Sequence, residues 1–265
     1  MPFTLAHSAA ALPFRRSPFV FSALIIGTLA PDFEYFLRLT PSYRFGHTLL
    51  GAFVLTLPLA LIVLWMFHNL VKVPAARLMP DSIQRRLAPY LVESSFGGPR
   101  RFLLIIASAL LGIATHLLWD SFTHRDMWAT KRWAVFRHSV HFPVFGAVPY
   151  YKVLQHGSTL LGTTIVIVWL VMWYRRSAPA AEPLSHSPPT ARRLAIVAAI
   201  VAIASAGALI RAMLGAGKPM LGPAISVFVG EAISTWIALS WWLLVILGLF
   251  ARSRGVVSAS RPETV

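Results

Sequence analysis

The stretch FLLIIASALLGIATHLLWDSFTH, residues 102–124, decides the fold. Its first part, from Phe102 to Trp119, carries no formal charge and is nearly as long as the roughly 20 residues that an α-helix needs to cross a bilayer. Its last turns add His116, Asp120 and His124. The stretch therefore predicts a transmembrane helix that ends in a group of titratable side chains.

The composition of the whole chain has the same character. Of the 265 residues, 57% are hydrophobic and 12% are charged, whereas about 25% are charged in ordinary soluble domains. The mean hydropathy is +0.67. These values indicate an integral membrane protein, and the apolar runs predict five spans at residues 47–70, 102–122, 158–174, 194–214 and 224–250.

The excess of basic residues, a formal net charge of +15, does not indicate a nucleic-acid partner. Most Lys and Arg lie in the connections between apolar runs, where membrane topology explains them, so the predicted partners are membrane lipids. The absence of Cys excludes disulfides, thiolate nucleophiles and Cys-type zinc sites within this sequence.

The first apolar segment, residues 18–29, is too short to cross a bilayer alone. Together with a short helix at 4–12, it predicts a helical hairpin over residues 4–37 that enters the membrane and returns, with Arg15 and Arg16 at its turn. The predicted fold class is therefore all-α: a multi-pass transmembrane helical bundle of five full spans plus an N-terminal re-entrant helical hairpin.

Four regions follow from the distribution of apolar and polar chain. Residues 1–174 form an N-terminal membrane region, and RRSAPAAEPLSHSPPTARR at 175–193 has the composition of a flexible linker. Residues 194–250 form a two-helix membrane region, and 251–265 form a tail. The basic residues of the hairpin turn, the 71–101 connection, the linker and the tail predict that this side faces the cytoplasm of the inner membrane.

Most of the nine histidines then fall at the opposite, extracytoplasmic face, together with Asp32 and Glu34. His116 and Asp120 are four residues apart and share a helix face. A set of Asp32, His47, His116 and Asp120 offers the imidazole and carboxylate ligands of a divalent metal site. Donors of this kind without thiols favour Zn, with Mn and Fe as alternatives.

Two other interpretations fit the same residues. His138 and His141 lie in an aromatic-rich connection, at 125–157, that needs no ligand to explain it, because such chain is typical of the headgroup level of a membrane. The His/Asp set can also be a polar network that locks helices together in a transporter or a structural scaffold. A transporter should carry polar groups near mid-membrane in broken helices, and the later spans have almost none.

The segments PFTLAHSAAALPFRR, GTLAPDFEYF, FGHTLLG, THLLWDSFTH and FPVFGAVPYYKVLQHGSTLLG resemble the uncharacterised bacterial membrane family named domain of unknown function 4184, nearly end to end. The order of an N-terminal His, APDFE, GHT and HLLWD is more distantly similar to the inner-membrane metal-dependent hydrolase family. That resemblance implies His7, Asp32, His47, His116 and Asp120 as metal ligands. Because the chain has Glu34 for a second Asp and lacks one His of the family pattern, the resemblance implies one ion rather than two.

These observations together predict a metal-dependent hydrolase that acts at the membrane surface on a lipid-linked phosphate or another ester. A bound divalent cation would lower the pKa of a water molecule. His124 or Glu34 would accept the proton. The aromatic connection would receive the substrate, with Arg125, Lys131 and Arg132 attracting its phosphate.

Overall fold

The computed structural model describes residues 4–39, 45–91, 96–144, 146–216 and 223–254. Almost all of this part of the chain is helical. The one sheet among these residues is a two-stranded antiparallel hairpin, in which β1 (Ser139–Phe142) pairs with β2 (Gly146–Pro149). The predicted all-α fold class is confirmed.

Five helices are long and apolar enough to cross a membrane, as the sequence predicts: Leu49–Leu78, Pro99–Arg132, Tyr150–Arg176, Thr190–Gly215 and Val227–Ser253. Each begins or ends beyond its predicted apolar run. The first continues through Lys72 and Arg77, whose half-buried side chains let the helix run on past the predicted end at residue 70. The connection after it holds the short helices Asp81–Leu87 and Ala88–Tyr90.

The N-terminal helical hairpin is also present. Its first arm is the 3₁₀ helix Thr4–Phe14, its turn exposes Arg15 and Arg16, and its second arm is the α-helix Phe21–Leu29. The 3₁₀ turn Ala30–Asp32 and the short helix Phe33–Arg38 follow directly. The chain therefore returns from the hairpin with Asp32 at the end of the second arm.

The structure groups the described residues into two compact units, the first within residues 1–34, 44–62 and 96–172. A small apolar core joins the hairpin to the spans of this unit, and it consists of Ala30, Ala52, Ala60 and Ile113 with Ile26, Phe33, Leu57 and Leu117 around it. The helix Pro99–Thr123, called the site helix below, packs along the second arm of the hairpin. It is the element that organises the candidate site.

The second unit lies within residues 35–43, 63–95 and 173–265. Its two C-terminal helices, Thr190–Ala216 and Pro223–Ser253, pack against each other, and Arg211 forms an ion pair with Glu231 at 3.1 Å. In the predicted linker, Ser187 donates a hydrogen bond to Gln84 at 2.7 Å. The flexibility of that linker and the four predicted regions stay predictions.

Candidate metal centre

Two glycines let the site helix approach the hairpin closely. A Cβ atom on Gly27 would collide with the backbone carbonyl of Ala109, and one on Gly112 with that of Leu24. Small residues of this kind allow two helix backbones to pack at short range in a membrane. The close contact brings the end of the hairpin arm against the last turns of the site helix, where His116 and Asp120 lie.

His116 is fixed in orientation by that contact. Its Nδ1 lies 2.7 Å from the backbone oxygen of Thr28, and the ring is fully buried. Because a carbonyl oxygen only accepts, Nδ1 must carry the hydrogen and donate it. The other nitrogen, Nε2, is thereby turned toward the remaining polar groups, which is the arrangement found in most metal-binding histidines.

Four side chains converge around Nε2 of His116, and we call Asp32, His47, His116 and Asp120 the four-ligand cluster. His47 Nε2 lies 3.3 Å from Asp32 Oδ1, from Asp120 Oδ2 and from His116 Nε2. His116 Nε2 lies 3.3 Å from Asp120 Oδ2 and 3.7 Å from Asp32 Oδ1. Two imidazole nitrogens and two carboxylate oxygens thus surround one point.

The spacing of these atoms matches a coordination shell better than a hydrogen-bond network. Charge-assisted hydrogen bonds between nitrogen and oxygen are roughly 2.7–2.9 Å long, and every contact in the cluster is at least 3.3 Å. A tetrahedral site with ligand bonds of about 2.0–2.2 Å has ligand atoms roughly 3.3–3.6 Å apart. Four of the five distances given above therefore fit edges of such a tetrahedron, and the fifth, 3.7 Å between His116 and Asp32, is slightly longer.

Asp120 also reaches a second pair of histidines through its other oxygen. Oδ1 lies 3.4 Å from His7 Nε2 and 3.3 Å from His124 Nδ1. The ring of His7 stacks on that of His116, with centroids 3.9 Å apart. His124 follows the last residue of the site helix, and its Nε2 lies 3.0 Å from the side-chain amide of Gln155.

Exposure distinguishes His124 from the rest of the site. Its side chain is 28% exposed, whereas those of the other five residues are at most 6% exposed. The cluster is therefore closed to solvent except on the side of His124. Ionisable groups buried in this way are costly, which makes such a cluster a candidate functional site.

Three hydrogen bonds hold the outer parts of the site. Thr4 donates its hydroxyl hydrogen to Asp32 Oδ2 at 2.6 Å, which leaves Oδ1 of the same carboxylate facing the cluster. The buried Glu34 accepts a hydrogen bond from the backbone N–H of Gly46 at 3.0 Å, and Thr56 donates to the Gly46 carbonyl at 3.1 Å. These bonds hold the 3₁₀ turn Phe45–His47 that carries His47.

The groups outside the spans differ in their protonation. Burial, assisted by the neighbouring His116, lowers the pKa of His7 to about 4. Burial also disfavours the charged form of His47, but the carboxylates of Asp120 and Asp32, each 3.3 Å from its Nε2, outweigh this and raise its pKa to about 9. Burial would raise the pKa of Asp32, yet His116 and His47 hold it below its ordinary value. His7 is therefore neutral at neutral pH, while His47 is protonated beside two carboxylates.

Six of the seven residues predicted from the sequence meet in this site: His7, Asp32, His47, His116, Asp120 and His124. Two groups of three, His7 with His116 and Asp120, and Asp32 with His47 and His116, are spaced so that they can hold a metal ion. Glu34 is buried nearby and contacts Gly46. The exposed His138, His141 and His156 lie outside these groups.

Sequence reasoning missed Thr4 and Gln155. Thr4 precedes His7 by three residues, and residues three apart share a face of a 3₁₀ helix, so the spacing contained a signal. Gln155 lies in another span, and nothing in its local sequence indicates that it meets His124.

The fold and the site define a multi-pass α-helical membrane protein with a buried His/Asp cluster that can bind a metal ion. The model of the family described as Domain of unknown function (DUF4184) matches residues 1–249, and the chain belongs to that family. No curated protein and no solved structure matches the chain.

Proposed function

We propose that the protein is a metal-dependent hydrolase of the inner membrane and that its substrate is a lipid-linked phosphate or another ester. The observation that carries the proposal is the spacing within the four-ligand cluster, 3.3–3.7 Å between nitrogen and oxygen donors. A purely structural network should contain shorter contacts, such as the 2.6 Å bond from Thr4 to Asp32. Asp32 and His116 make short hydrogen bonds to Thr4 and Thr28, at 2.6 and 2.7 Å, but their contacts within the cluster are longer.

Zinc is the cation that we propose for the cluster. Two imidazoles and two carboxylates suit a tetrahedral divalent ion, and Mn or Fe accept the same donors. A divalent cation in the site would supply Lewis acidity, and it would lower the pKa of a water molecule bound in addition to the protein ligands. The donated bonds from Thr4 and His116 would hold the ligands in place, as partners outside the first coordination shell commonly do.

The region after the site helix supports an amphipathic substrate. Trp128 is 65% exposed and Val144, in the turn of the β-hairpin, is 84% exposed. The cationic Arg125, Lys131 and Arg132 are exposed in the same region. Exposed aromatic and cationic side chains together suit the headgroup level of a membrane, where a lipid-linked phosphate is presented.

Two groups are proposed to accept the proton of the attacking water, His124 and Glu34. The contacts favour His124, because its Nδ1 lies 3.3 Å from Asp120 and its ring reaches solvent. Glu34 is buried and its carboxylate is engaged with Gly46. We further propose, from the distribution of loop charges, that the site lies at the extracytoplasmic face.

The metal content of the purified protein tests the proposal. We expect bound zinc in the wild type, with large losses in His116→Ala and Asp120→Ala. The exposed His138→Ala is the matched control and should keep the wild-type content. Hydrolysis of a lipid-linked phosphate in mixed micelles should follow the metal content across the four proteins. A wild type without stoichiometric Zn, Mn or Fe under chelator-free conditions would contradict the proposal and leave the helix-locking network as the function of the cluster.

A further inference from the structure

The two carboxylate oxygens of Asp120 face different pairs of histidines. Oδ2 lies 3.3 Å from His47 and 3.3 Å from His116. Oδ1 lies 3.4 Å from His7 and 3.3 Å from His124. A carboxylate with a pair of nitrogen donors at each oxygen has the arrangement by which a bridging carboxylate joins two cations roughly 3.5–4 Å apart.

We infer that the site binds two divalent cations bridged by Asp120, the second of them between His7, His124 and Asp120 Oδ1. This inference rests on the proposed function and deepens it. It differs from the single ion that the sequence implies, and it makes His124 a ligand instead of the proton acceptor.

The number of ligands at each position gives the two cations different roles. The four-ligand cluster supplies four protein donors, which complete a tetrahedral shell as in structural zinc sites. The second position has three protein donors, and catalytic zinc sites keep three protein ligands with a fourth place for water or substrate. Because His124 is also the one partly exposed residue of the site, at 28%, the incomplete position faces the open side.

The surroundings of the two histidines agree with a ligand role. Nε2 of His7 faces Asp120 Oδ1 at 3.4 Å, and the ring of His7 stacks on that of His116 with centroids 3.9 Å apart. Oδ1 of Asp120 is buried, and ring nitrogens of His7 and His124 lie 3.4 and 3.3 Å from it. These distances fit the edges of a coordination shell.

Gln155 supplies the outer partner that a metal-bound His124 requires. A histidine that binds through Nδ1 carries its hydrogen on Nε2 and donates it to a neighbouring acceptor. The Gln155 amide lies 3.0 Å from that nitrogen. Rotating the amide by about 180° exchanges its nitrogen and oxygen and presents the oxygen as the acceptor.

Zinc stoichiometry of the full chain, saturated with zinc and then freed of excess, tests the inference. We expect about two ions in the wild type and about one in each of His7→Gln, His124→Gln and Asp32→Asn. His138→Gln is the control and should keep the wild-type number. Gel filtration of every variant checks that it remains folded.

The outcomes separate this inference from the proposed function. A wild type with one ion, lost in Asp32→Asn and kept in His124→Gln, overturns the second position and leaves the hydrolase proposal intact. A wild type with no ion overturns both.

Manganese adds a measurement that needs no variant. Two Mn²⁺ ions bridged by Asp120 should be magnetically coupled and give a broad multiline EPR spectrum at two equivalents. The six-line spectrum of isolated Mn²⁺ at that loading would refute the bridge.

Discussion

The bond from Thr4 to Asp32 gives the most direct test of the metal centre, because Thr4 itself is no ligand. Thr4→Val keeps the shape of the side chain and removes the hydroxyl that donates to Asp32 Oδ2 at 2.6 Å. That hydrogen bond holds the Asp32 carboxylate turned so that Oδ1 faces His47 at 3.3 Å. A hydrogen bond to a charged group is worth about 1.5–3 kcal/mol. We therefore expect zinc affinity to fall roughly 10–100-fold, since each 1.4 kcal/mol is a factor of ten and outer partners of metal ligands typically have effects of this size.

Competition with a chromophoric zinc chelator measures the affinity of the detergent-purified protein. Thr163→Val is the matched control, because the Thr163 hydroxyl is buried without a hydrogen-bond partner among the described residues. Its affinity should stay within about twofold of the wild type, as expected for a change away from the site. Thr4→Ser restores the hydroxyl and should recover most of the loss. A folded Thr4→Val protein with wild-type zinc affinity would refute the assignment of Asp32 Oδ1 as a ligand.

Three further predictions concern other parts of the molecule. Because the pKa of His47 is raised to about 9 in the folded protein, protonation of His47 stabilises the metal-free fold. This contribution to the free energy of unfolding is fully present below pH 6.5 and is lost as the pH rises through about 9. Because a ligand histidine must be neutral, zinc binding at neutral pH should release about one proton from His47. Calorimetry should therefore give different binding enthalpies in phosphate and in Tris buffer. Equal enthalpies in the two buffers would speak against proton release. Glu34→Gln should weaken zinc binding roughly fivefold, because it weakens the hydrogen bond from Gly46 that holds the turn carrying His47. Loss of hydrolysis at unchanged zinc affinity would instead make Glu34 the proton acceptor. Arg211→Met leaves the carboxylate of Glu231, which is 7% exposed, without its ion pair, so we expect the free energy of unfolding to fall by about 2–3 kcal/mol. Thermal unfolding should show that the double variant with Glu231→Leu recovers this stability. No recovery would refute the pairing.

The helical architecture was predictable because it depends on local properties of the chain. A run such as residues 102–119 has no charge and must satisfy its backbone polar groups internally in a membrane, which leaves the helix as its structure. The boundaries were less predictable. Leu49–Leu78 continues past its apolar run because the half-buried side chains of Lys72 and Arg77 can lay their aliphatic stems along apolar surface.

The members of the candidate site were also largely visible in the sequence. His116 and Asp120 share a helix face by their spacing alone, and topology grouped them with Asp32 and His47. The role of Thr4 was not visible, because its hydroxyl donates to a residue 28 positions away. The contact between Gln155 and His124 spans 31 positions and joins two different helices.

The sequence by itself determined the membrane class, the five spans, the N-terminal hairpin and the identity of the polar residues, because hydropathy and helical periodicity act over one or two turns of chain. The tertiary structure decided how those residues meet. The close approach at Gly27 and Gly112 sets the position of the Thr28 carbonyl, and that carbonyl turns Nε2 of His116 toward the cluster. The division of Asp120 between two pairs of histidines depends on packing among three separate segments, and no local pattern encodes such a division.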